Sequence, residues 1–135
     1  ADCASLSHRF KRTVALFITQ HCVKAFVHAH NAPTAEELAQ ELEIPIRLVR
    51  STLLELTDAK ILAEVRASAS EVVAYQPGCP LDDLTVTKIL GALDRHGEDA
   101  LPLADSPSLD KLREITRKFD EIVESAPANL KIQEL

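Results

Sequence analysis

Between residues 7 and 30 the chain has no glycine or proline, and its apolar residues surround more than half of a helical circumference. Leu16, Phe17, Val23, Phe26 and Val27 are among them. A helix apolar on so many sides is normally a central core element. The pattern therefore predicts one long N-terminal helix, ending at Asn31-Ala32-Pro33.

Thr34-Ala35-Glu36-Glu37 then matches a capping box, in which the hydroxyl and the carboxylate each bond the other residue's amide. Leu38 and Leu42 form an i, i+4 apolar pair on the short helix that follows, and small Ala39 allows a second helix to cross closely. Pro45 disfavours helical geometry at Ile44 but suits the first turn of a new helix. That helix is expected to run to about Lys60 and to bury Val49, Leu53 and Leu56. Two short helices joined by a tight turn make a helix-turn-helix.

Residues 61–65 and 72–75 are strand-like, joined by the small polar stretch 67–70, and Pro77 and Pro80 stop the second strand. A hairpin directly after the second helix is the winged variant. A further helix starts at Leu84-Thr85-Val86 and runs through Ile89, Leu90 and Leu93 to about His96-Gly97. Ser106-Pro107 caps a last helix whose Leu112, Ile115, Phe119 and Ile122 repeat at a 3-4-3 spacing. The expected fold is mainly α with a small β-hairpin: a winged helix-turn-helix with a long N-terminal helix and an extra C-terminal helix. In domain terms, residues 1–97 form the winged helix, 98–108 an acidic linker, and 109–135 the C-terminal helix and tail of the same domain.

Composition supports this reading and narrows the function. With 135 residues, one domain can bury a real core, and three glycines are too few for the tight turns of a barrel or sandwich. The longest greasy run, residues 14–18, is far short of the roughly 20 residues needed to span a bilayer. The chain is expected to stay in water, and its start at Ala1 suggests a piece of a longer protein. Cys3, Cys22 and Cys79 are neither a disulfide framework nor a metal knuckle, and Cys22 reads as a buried core thiol in a reducing compartment.

The formal net charge of −6 argues against unspecific affinity for nucleic acid. Arg9, Lys11, Arg12 and Lys24 make the N-terminus basic, whereas the last forty residues are acidic on balance; the basic group can face phosphate or pair with the tail. In a winged helix the N-terminal end of the second helix meets base edges. The candidates there are Arg47, Arg50 and Ser51, with Arg66 on the wing for phosphate. Against them stand Glu36, Glu37, Glu41 and Glu43 on the preceding helix, with Glu55 and Asp58 beyond. That count disfavours DNA and favours protein contact.

No nucleophile, base and orienting group come together, so Ser7, His8 and Ser51 read as capping or surface groups and the chain as a non-enzyme. His28-Ala29-His30 imitates a nuclease metal motif, but a helix stop follows it instead of further ligands, so neither a metal nor any other cofactor is expected. No small-molecule site is evident. Leu112, Ile115, Phe119 and Ile122 must be buried somewhere. Packing on their own domain is slightly favoured over contact with the same helix, or the long first helix, of a second chain in a homodimer.

Four stretches carry a resemblance to a family. They are residues 6–12; residues 33–39; residues 44–50 with 53–62; and Glu71 to Pro77 with residues 84–86 and Leu93-Asp94-Arg95-His96-Gly97. Together they resemble the C-terminal domain of the YihY/BrkB family of bacterial inner-membrane proteins, some of which carry a ribonuclease name that no residue here supports. The resemblance implies about six membrane helices upstream and a place on the cytoplasmic side of the inner membrane. It implies an interaction or regulatory role there, the alternative being a freestanding winged-helix transcription regulator. The fold also resembles winged-helix repressors that sense iron–sulfur clusters or metabolites. In those a compact cysteine group follows the wing, where this chain has only Cys79, which disfavours cluster sensing.

Overall fold

The computed structural model describes residues 5–66, 71–97 and 102–135. Its elements are α1 (His8–Val27), α2 (Ala35–Leu42), α3 (Ile46–Asp58), β1 (Leu62–Arg66), β2 (Val73–Pro77), α4 (Val86–Asp94) and α5 (Pro107–Ser125). Short 3-10 turns lie at Leu81–Asp83 and Ile132–Glu134. This is a mainly helical winged helix-turn-helix with one antiparallel hairpin, as the periodicities predict.

The Ser7 hydroxyl caps α1 by accepting from the Phe10 amide at 3.1 Å. One face of the helix is core: Val14, Ala15, Ile18, Thr19, Cys22 and Val23 are all buried. Burial pushes the Cys22 thiol up to about 12. Phe17, Phe26 and Val27, however, are about half exposed, so the buried face is narrower than the apolar one that the pattern gives a central core helix. The helix also stops at Val27, short of the predicted His30. Ala29 adopts the left-handed conformation (φ 56°) and the His30 amide bonds the Ala25 carbonyl at 2.8 Å, which closes the last turn. The chain then lays the Pro33 carbonyl on the Tyr75 amide at 2.9 Å, tying the helix-turn-helix to the wing.

The capping box is present. Thr34 Oγ1 accepts from the Glu37 amide and Glu37 Oε1 from the Thr34 amide, both at 3.1 Å. Thr34→Ala should therefore cost about 1 kcal/mol. Chemical denaturation will read it, and an unchanged midpoint would mean that the box does not hold α2 in solution. After α2, Glu43 takes the left-handed conformation (φ 55°) and Pro45 leads into α3. There Leu48, Val49, Thr52, Leu53 and Leu56 face the core.

The hairpin runs in register from Leu62↔Pro77 to Arg66↔Val73, one or two residues beyond the predicted strand ends. Pro77 closes β2 without donating, and the next amide, of Gly78, reaches the Ile61 carbonyl at 2.9 Å. A Cβ on Gly78 would stand 2.8 Å from the Leu62 carbonyl oxygen, so the close approach requires glycine. The predicted hairpin tip at 67–70, Cys3 and residues 98–101 of the predicted linker lie outside the described residues.

Thr85 caps α4, which buries Ile89, Ala92 and Leu93. Ser106 caps α5, with Pro107 in its first turn, where the sequence places the cap. None of its residues is buried. The tail after it returns to the core. Ile132 is buried, its amide bonds the Leu84 carbonyl at 2.7 Å, and Asn129 Oδ1 accepts from the Thr87 amide at 2.9 Å. The turn at Ile132–Glu134 packs on α1.

Candidate functional site

With positions 48, 49, 52, 53 and 56 turned inward, α3 shows Arg47, Arg50, Ser51 and Leu54 to the outside. These positions follow the i, i+3, i+4, i+7 rule of one helical face. The structure thus brings Arg47, Arg50 and Ser51 together and adds Leu54, which is 58% exposed. The sequence reading did not name Leu54, although the inward 49-53-56 series leaves it on the outer face.

The three side chains differ in freedom. Arg47 has no ion-pair partner among the described residues. Arg50 pairs with Glu36 of α2. Backbone hydrogen bonding, then Arg50, hold the Glu36 carboxyl below its ordinary value. The Ser51 hydroxyl turns back to donate to the Leu48 carbonyl at 3.1 Å. Arg66, at the end of β1, donates to the Glu71 carbonyl at 3.1 Å and meets its carboxylate at 3.3 Å, bracing the hairpin.

The acidic residues of the neighbouring helix are also engaged. Glu36 faces Arg50, Glu37 closes the capping box, and Glu41 meets His21 at 2.5 Å. Only Glu43 of that series has no such contact among the described residues. Of these contacts the sequence placed only that of Glu37, through the capping box. Elsewhere, His8 meets Asp94 at 2.7 Å and so joins α1 to the end of α4, while the His28 and His30 rings are 5.9 Å apart.

The second feature is α5. Leu112, Ile115, Phe119 and Ile122 lie half to two-thirds exposed, with Val123 beside them. Packing on their own domain, slightly favoured by the sequence, is not what the fold does. Around the stripe Arg117 is held by Glu114 and Glu121 one turn away on either side, which stiffens the polar flank. Phe10 and Phe17 leave further apolar surface on α1.

No protein-family model and no curated protein matches the chain. Solved structures do. IscR from T. potens superposes with a TM-score of 0.59 at 14% identity, over 92% of this chain and 84% of that one. A putative transcriptional regulator from Listeria innocua gives 0.61 at 17%, over 93% and 82%. CymR from B. subtilis, the global cysteine regulator, gives 0.55 at 14%, over 96% and 94%. At such identities the likeness is one of fold.

It nevertheless overturns the resemblance to the YihY/BrkB membrane proteins. The structures that match nearly the whole chain include one named as a putative transcriptional regulator and one named as a global cysteine regulator, and none is named as a membrane protein. The stretches that carried the resemblance include a helix cap, a proline helix start and a hairpin strand, all of which a winged helix needs for its own sake. The membrane bundle and the place at the inner membrane that the resemblance implied lose their support with it. No helix among the described residues is long and apolar enough to cross a membrane. What the chain shares with these structures is a fold that contains the winged helix, and the superpositions cover nine-tenths of its length or more.

Proposed function

We propose that the chain is a DNA-binding transcription regulator that acts as a dimer, with α3 as its reading helix and α5 as its dimer helix. The observation that carries the reading is the outward face of α3, where Arg47, Arg50 and Ser51 stand together and Arg47 is unpaired among the described residues. Arginine is the side chain best suited to take both acceptors of a guanine edge in the major groove. Support comes from the fold likeness to a protein named as a putative transcriptional regulator and to one named as a global cysteine regulator. Of the carboxylates beside α3, Glu41 has a partner in His21 that this reading leaves in place.

Arg50 must leave Glu36 to reach a base, an exchange of one acceptor for another. Arg66 would meet phosphate beside the wing, in competition with Glu71. Two copies related by a two-fold axis would read a palindromic site with half-sites about one helical turn, 34–36 Å, apart.

Selection of genomic fragments with the full chain, followed by anisotropy titration, tests this. A palindromic site should emerge, and Arg47→Ala should weaken it by about 1–3 kcal/mol. Glu36→Gln should tighten it by releasing Arg50. If no site is enriched over random duplex, or if Arg47→Ala binds as well as the parent, the reading is wrong.

A further inference from the structure

At the C-terminal end of α3 a cleft of about 470 Å³ opens toward α4. Its two walls carry opposite charge. Glu55 and Asp58 stand on α3; Lys88 and Arg95 stand on α4 and just past its end, two helical turns apart on one face. Ile61 and Ala92 line it with buried apolar surface. Gly91 lets the Arg95 guanidinium lie down against α4, since a Cβ there would stand 2.9 Å from Nη2.

The charges of this cleft are poorly used within the fold. His96 faces both carboxylates, but at 3.6 Å from Glu55 and 3.6 Å from Asp58, well beyond the roughly 2.7–2.9 Å of a tight charge-assisted hydrogen bond. Both carboxylates keep acceptor capacity. Lys88 and Arg95 have no acidic partner among the described residues. A space of this size sits within the roughly 300–1,000 Å³ of small-ligand pockets.

We propose that the cleft binds a small zwitterion of the α-amino-acid class. The ammonium group takes the acceptors of Glu55 and Asp58 in place of His96, and the carboxylate takes Lys88, with Arg95 adding positive charge on the same wall. A short apolar side chain lies on Ile61 and Ala92. Such a ligand crosslinks α3 to α4, at the point where the chain leaves for α5. Its binding does not depend on the DNA reading, whereas an effect on operator affinity rests on it.

The test is calorimetric titration of the full chain with each of the protein L-α-amino acids at millimolar concentration. Propionate, ethylamine and inorganic phosphate are the one-charge controls. At least one amino acid should bind one-to-one and raise the thermal midpoint, and no control should. Lys88→Gln and Glu55→Gln should each weaken that binding about tenfold or more, the loss of one charged hydrogen bond. Lys88 is exposed and unpaired among the described residues, so its variant should melt like the parent without ligand. Binding by no amino acid, equal binding of propionate or phosphate, or binding unaffected by Lys88→Gln would each overturn the proposal. Because calorimetry contains no DNA, its outcome is separate from that of the operator experiment.

Discussion

Phe119→Asp is expected to convert a dimer into a monomer while leaving the fold of each chain intact. Phe119 is 63% exposed in the centre of the α5 stripe, between Ile115 and Ile122, so its side chain contributes little to the fold of its own chain. In a two-fold assembly each of these residues is buried twice. Burial of a large apolar side chain contributes about 1.5–3 kcal/mol. A carboxylate at the centre forfeits that gain in both copies and must also be desolvated. The association constant should fall by about a hundredfold or more, each tenfold being about 1.4 kcal/mol. Sedimentation velocity over a wide concentration range measures the fall, and circular dichroism checks the fold. A parent chain that stays monomeric throughout, or a variant that still dimerises, would sink the assignment of α5.

Ile132→Ala should unfold the protein more readily than any change on α5. Ile132 is 2% exposed, lies against the core beside α1, and anchors the tail through the hydrogen bond its amide donates to the Leu84 carbonyl. Removing such a side chain from a packed core costs about 2–5 kcal/mol, because the cavity relaxes only in part. The upper half of that range is expected, since the same tail supplies Asn129 to the Thr87 amide and the Leu130 carbonyl to the Val86 amide at the start of α4. Denaturant unfolding measures it. A loss under about 1 kcal/mol would show that the tail is not part of the cooperative unit.

Local signals were legible wherever a few neighbouring residues determine the geometry. The capping box at Thr34–Glu37, the proline before α3 and the helix starts at Thr85 and Ser106 depend on contacts within three or four residues, and the strand pair on partners no more than fifteen apart. Helix ends were less legible. The stop of α1 at Val27 depends on how residues 29–34 reach β2, a pairing with a partner some forty positions away. The candidate site was legible in part. Arg47, Arg50 and Ser51 follow from the helix period, but their partners do not. Arg50 finds Glu36, and Arg66 is turned onto its own hairpin, because side-chain pairing depends on which faces the packed helices and strands present.

By itself, then, the order of residues determined the winged helix-turn-helix, its inward positions and the outward arginines of α3. Helical and strand periods and caps are short-range consequences of backbone geometry and polar satisfaction. Only the tertiary structure decided which charges are already engaged, and that Lys88, Arg95, Glu55 and Asp58 line one cleft. It alone decided that the last residues return to the core while α5 leaves its apolar stripe uncovered. A 3-4-3 stripe says only that a surface must be buried; where it is buried depends on the chain's path in space, which no local pattern encodes.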